Sequence, residues 1–212
     1  MKKYTSENLD ELFAGIAEIF TEKKDELCEL DAKMGDGDLG LTMHKGYGAV
    51  PDLIRDNNDT SDLGAILVKT GMKMSSIVPS TMGTLMSSGI MQGGKALKGK
   101  TEMGPQELAT YLEAFAQGVQ KRGKCSLGDR TILDALQPAG QAAVAAAEQG
   151  KSIEEVITEA HKAAQEGVEN TKNMLPKFGK AAVFSAKALG VADQGAIAGM
   201  YMIEGLKRAI CR

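Results

Sequence analysis

The stretch Leu30–Thr42, LDAKMGDGDLGLT, concentrates the residues best suited to chemistry. Asp31, Asp36 and Asp38 fall within eight residues, with Gly35, Gly37 and Gly40 between and after them. Carboxylates this close repel one another unless a cation or water screens them. The glycines let the backbone turn sharply and approach a ligand. Hard divalent cations such as Mg2+ take carboxylate oxygens, and Mg2+ is usually shared with substrate phosphates. The segment therefore reads as a metal–phosphate site, set against the plainer reading of a solvated acidic turn that caps the next helix. Asp36-x-Asp38-x-Gly40 also opens like a calcium loop, but that loop needs Gly sixth and Glu twelfth. Leu41 and Tyr47 stand there, which excludes an EF-hand.

Other stretches offer phosphate-binding turns. In Val78–Thr84, VPSTMGT, small and hydroxyl residues stand where a helix begins, and free N–H groups at such a start bind phosphate oxygens. The alternative is a plain N-cap by Ser80 or Thr81. Gly123–Thr131, GKCSLGDRT, reads as a basic turn or as a solvated interhelical loop capped by Asp129. Gly179-Lys180 and Ala192-Asp193-Gln194-Gly195 are two further turns. Gly89-IMQG-Gly94-Lys95-Ala96 imitates a P-loop, but Ala96 has no hydroxyl for Mg2+ and a helical segment precedes it, so it is a helix end.

These candidates need a scaffold, and the apolar spacing supplies helices. Leu9, Leu12, Phe13, Ile16, Ile19 and Phe20 follow an amphipathic helical period. A short helix over Lys24–Ala32 leads into the aspartate loop. Another leaves it through Met43, Gly46, Tyr47 and Val50, with Pro51 near its end or at a kink. Leu63, Ile66, Leu67 and Met74 mark the next; Leu85, Met86 and Ile90 mark one starting after VPSTMG. Pro105 suits a first helical position. Thr131–Gln149 is alanine-rich with a kink expected at Pro138, Ser152 and Glu155 form a capping box, and a last helix covers about Gly195–Ile210. No segment alternates like a strand. The expectation is one all-α domain over residues 1–212, with about eight or nine helices whose alanine, glycine and methionine faces pack closely.

Composition narrows the function. The chain has 212 residues, 43% hydrophobic and 25% charged, with a net charge of −3, so no basic footprint points to nucleic acid. No apolar run approaches a membrane span, and the polar N-terminus implies a cytoplasmic protein. Cys28, Cys125 and Cys211 lack zinc-ligand spacing and read as reduced thiols. With only His44 and His161, a Ser-His-Asp triad has little to draw on.

Taken in order, the pieces resemble the nucleotide-binding subunit of dihydroxyacetone kinase, the DhaL family. GDGDLG is similar to the family's GDxDHG. KTGM at Lys69–Met72, RGKxxxGDRTxLD at Arg122–Asp134 and DQGA at Asp193–Ala196 match in order and spacing. The resemblance spans about Leu27 to Met202. It implies an antiparallel barrel of about eight helices with ADP or ATP and two Mg2+ at one end. The metal aspartates would be Asp31, Asp36 and Asp38. Phosphates would lie against Ser80, Thr81, Met82 and Gly83 and against Leu39, Gly40, Leu41 and Thr42. Gly123 and Ile132 would line the adenine or ribose side, and Lys180, Asp193, Gln194 and Gly195 would close the pocket. Departures from the family pattern are Leu39 for a usual His, Thr42 for an Asn, Pro79 in the phosphate turn, and Lys180 for an Arg that would make a bidentate contact. The implied partners are a sugar-binding kinase subunit and a phosphocarrier subunit of the phosphotransferase system, with a homodimer left open. A nucleotide-binding regulatory protein of the same fold is the alternative.

Overall fold

The structure is a computed structural model that describes residues 2–179, 182 and 188–212. Its elements are α1 (Leu9–Glu22), α2 (Lys24–Ala32), α3 (Leu39–Arg55), α4 (Leu63–Ile77), α5 (Thr81–Ala96), α6 (Pro105–Gly123), α7 (Leu133–Glu148), α8 (Ile153–Asn170) and α9 (Gln194–Cys211). Each forms where an apolar stripe and a start signal coincide. In α1 the buried residues include Leu9, Leu12, Phe13, Ile16, Ile19 and Phe20, the expected stripe. In α8 the Glu155 N–H donates to Ser152 Oγ at 3.3 Å and the Ser152 N–H to Glu155 Oε2 at 2.8 Å, the expected reciprocal cap. Pro105 opens α6, where its missing N–H costs nothing.

Eight of these helices close a ring in which α1 packs on α3, each helix from α3 to α8 packs on its successor, α8 packs on α9, and α9 returns to α1. The short α2 leans on α3. Neighbours around the ring run antiparallel, most of them joined by short connections. The N-termini of α3, α5, α7 and α9 therefore gather at one end, with the C-termini of α4, α6 and α8. Tyr47 of α3 is fully buried, and its hydroxyl donates to Met202 Sδ of α9 at 3.1 Å and to Met86 Sδ of α5 at 3.6 Å. Glycine allows the closest approaches: a Cβ on Gly15 would lie 2.4 Å from the Gly205 carbonyl oxygen, and one on Gly64 would lie 2.5 Å from that of Gly94.

The structure differs from the sequence reading in several places. Helix α5 starts at Thr81, inside VPSTMG, because the Ser80 side chain caps it. Leu39–Thr42 is the first turn of α3 and not a loop. Pro51 lies near the end of α3, as expected, and α7 continues through Pro138. Tyr4–Thr5 pairs antiparallel with Glu102–Met103, a strand pair too short to leave an alternating pattern. Among the described residues, no helix is long and apolar enough to cross a membrane.

Candidate functional site

Asp31 sits in the last turn of α2, 7% exposed. Its Oδ2 accepts the backbone N–H of Gly37 at 2.9 Å and of Asp38 at 3.2 Å. Its Oδ1 accepts Nε2 of Gln194, from the start of α9, at 3.4 Å. The glycines make this bend possible. Gly37 has φ +77°, and a Cβ on Gly35 would lie 2.2 Å from Asp31 Oδ1. Asp36 and Asp38 are exposed on the same bend. One carboxylate oxygen from each of the three aspartates lies within 4.8 Å of the others. An all-carboxylate donor set with a glycine-lined approach fits a hard divalent cation of the Mg2+ or Ca2+ kind.

Facing the aspartates is the start of α5. Ser80 Oγ accepts the Gly83 N–H at 3.0 Å, so that donor is committed within the helix. The N–H groups of Thr81 and Met82, in the first turn, have no intrahelical acceptor by construction. The starts of α3, α7 and α9 surround the same space. Helix N-termini carry partial positive charge, and their convergence beside a carboxylate cluster suits a bound cation with a polyanion.

Two adjoining cavities occupy this end. One, of about 350 Å³, is lined among others by Asp31, Asp36, Asp38, Ser80, Asp193 and Gln194. The second, of about 730 Å³, shares Ser80, Thr81, Thr131, Ile132 and Phe178 with it and extends to Gly123 and Cys125. Leu39, Met82 and Gly195 also line the first cavity. Gly40, Leu41, Thr42 and Gly83 line neither. Gly40 is pressed on the Lys24 carbonyl and Gly83 on that of Val78, while Leu41 is 55% exposed. Thr42 Oγ1 lies 3.5 Å from Ser80 Oγ, at the edge of the site. Lys180 lies outside the described residues.

The turn between α6 and α7 is not the solvated loop that its charges suggest. Arg130 is 2% exposed, with φ 58°. Its guanidinium lies 3.5 Å from Asp193 Oδ1 and donates to the carbonyl oxygens of Val191 at 3.0 Å and Ala188 at 3.4 Å. Asp193 caps α9 by accepting the Ala196 N–H at 2.9 Å. Burial pushes the Asp193 carboxyl up to about 6, although the Ala196 N–H and the Arg130 guanidinium both pull it down. Asp134 Oδ1 accepts the Gly128 N–H at 2.6 Å and its Oδ2 accepts the Thr131 N–H at 2.7 Å, which shapes the turn. The Lys177 ammonium holds the Asp129 carboxyl below the usual range. Sequence reasoning did not select Met34, Leu85, Arg130, Thr131 or Phe178 as lining residues. Arg130 and Thr131 carried a signal, their place in the GDRT turn.

The chain is similar to several known proteins. It is 29% identical over 192 residues to the "PEP-dependent dihydroxyacetone kinase, ADP-binding subunit DhaL" of Escherichia coli (strain K12), covering 91% of each chain. It is 30% identical over 183 residues to the triokinase/FMN cyclase of Homo sapiens, covering 86% of this chain and 32% of that one. The crystal structure of the dihydroxyacetone kinase from C. freundii in complex with AMP-PNP and Mg2+ superposes with a TM-score of 0.70 at 25% identity, over 98% of this chain and 35% of that one. The chain thus spans about a third of the longer relatives and nearly the whole of the DhaL subunit. The DAK2 domain family model matches residues 33–208. Asp31 precedes that span, so its place in the site rests on the geometry. With most of its length matched and the helical ring in place, the chain belongs to the DAK2 domain family.

Proposed function

We propose that this chain is the ADP- or ATP-binding subunit of a multi-subunit kinase for dihydroxyacetone or a related ketose. It keeps ADP resident, receives a phosphoryl group from a phosphocarrier subunit, and passes it to a sugar held on a separate sugar-binding subunit. The observation that carries this reading is the convergence of three carboxylates and four helix N-termini on one pair of cavities. The near end-to-end similarity to an ADP-binding subunit, and the fold shared with a kinase solved with AMP-PNP and Mg2+, support it.

In this reading Asp31, Asp36 and Asp38 hold two Mg2+, which offset phosphate charge when bound. The starts of α3 and α5 receive the phosphates; Ser80 and Thr81 orient them. Gly123, Ile132 and Cys125 line the larger cavity, where the base or ribose lies. Gln194 and Gly195 close the pocket from α9. The chain's part is positioning and charge compensation, the main requirements of phosphoryl transfer.

Calorimetry tests the reading. The parent should bind ADP in a Mg2+-dependent manner, and Asp36→Asn should weaken that binding by more than about 100-fold, since even partners one layer outside a metal cost 10–100-fold. Circular dichroism should report the same helical content. Equal Mg2+-dependent affinity in Asp36→Asn and parent would remove the aspartates from the site.

A further inference from the structure

The two oxygens of Asp31 are held differently. Oδ2 is fixed by backbone N–H groups of its own bend, while Oδ1 is held by the Gln194 side chain, 163 residues away. Among the described residues, Gln194 is the side chain that hydrogen-bonds the Asp31 carboxylate. The orientation of the amide follows from chemistry: turned over, its oxygen would face a carboxylate oxygen. With Nε2 so committed, Oε1 is left fully buried and without a donor among the described residues, in a side chain that lines the aspartate cavity. A buried carbonyl oxygen without a donor is costly, about 1–3 kcal/mol. The side chain nonetheless keeps its Nε2 on Asp31.

Resting on the nucleotide–Mg2+ reading above, we infer that Gln194 is a positioning residue for the metal site. Its Nε2 fixes the orientation of Asp31, and the start of α9 is thereby tied to the aspartate bend before a cation arrives. Gln194 touches the metal ligand, and the phosphates lie beyond its role.

The test uses Gln194→Met, which keeps the length of the side chain and removes both the donor and the acceptor. Mn2+ serves as the probe, with free ion counted by electron paramagnetic resonance at saturating ADP. The variant should bind Mn2+ about 10–100-fold more weakly than the parent, with a melting temperature in EDTA without nucleotide no lower than the parent's. In an Asp31→Asn background, Gln194→Met should add nothing further, because Gln194 acts through Asp31. Equal Mn2+ affinity in variant and parent overturns the inference. So does a lowered melting temperature in EDTA or failure to fold, which would make Gln194 a structural part of the α9 start, and so does a fully additive loss in the Asp31→Asn background. A parent chain that binds ADP but no Mn2+ would instead refute the metal site of the proposed function, a distinguishable failure.

Discussion

The buried Asp193 carboxyl serves two neighbours, the α9 N-terminus and the Arg130 guanidinium, while its backbone N–H donates to the Thr171 hydroxyl at 2.9 Å. Its folded-state value of about 6 lies above the ordinary 3.8. Between those values the folded chain keeps a proton that the unfolded chain releases. Stability from this group is therefore full below the lower value, falls as pH rises through the higher one, and is flat above it. Asp193→Asn cannot titrate, so its stability relative to the parent should improve from about pH 4 to about pH 6.5 and then level off. Urea unfolding of both proteins across that range checks this, and a constant gap would contradict the assignment. Arg130 adds a second demand at the same spot. Removing one member of a buried pair strands the other, at about 3–5 kcal/mol, which explains why the turn holding Arg130 accepts a left-handed backbone to bury it.

At the level of elements, glycine sets how closely helices approach. Gly15→Ala places a methyl against the Gly205 carbonyl of α9 and should cost about 1–3 kcal/mol or more. Gly48→Ala, in the exposed middle of α3 with nothing within 4 Å of the new methyl, should gain about 0.5–1 kcal/mol. Equal effects in urea denaturation would show that ring packing does not depend on the α1–α9 glycine contact. The helices themselves were legible because their apolar residues recur at helical spacing, and the caps at Ser152 and Pro105 because their chemistry is local. The aspartate bend was legible from composition alone. The start of α5 was placed too late, because Ser80 looks like turn as readily as cap. Arg130 and Asp129 looked solvated because charged residues in a glycine-containing turn usually are, and Arg130 is buried by the return of residues 188–193 while Asp129 is held by Lys177 and the Ser126 N–H. Phe178 and Met34 carry no local mark of a cavity wall. Gln194 read as one letter of a turn, and its reach to Asp31 is a tertiary fact.

Across the whole molecule, the cavities open at the ring end where the connections between α6 and α7 and between α8 and α9 carry exposed apolar side chains. Leu127, Leu175, Phe178, Leu189 and Val191 are all among them. Exposed apolar side chains give a partner surface to bury, and in the proposed function a nucleotide held at this end is useful only if a partner reaches it. Leu127→Asp combined with Leu189→Asp should weaken binding of a sugar-binding subunit and slow sugar phosphorylation, with ADP affinity unchanged. The chain alone with Mg-ATP should not phosphorylate dihydroxyacetone. Rapid phosphorylation by the isolated chain would mean that a sugar site exists within these helices. The ring also has a consequence for the order of folding. Its last member, α9, packs on its first, α1, and the hydrogen bond between Asp31 and Gln194 joins positions nearly the whole chain apart. Contacts of such separation form late, because loop closure must precede them. On a ribosome the aspartate bend emerges early, yet its pocket stays without a wall until α9 is made. Refolding followed by stopped flow should show most helix forming before a fluorescent ADP analogue can bind, with binding appearing only in the final phase. A nascent chain would thus be barred from capturing nucleotide until synthesis has passed α9.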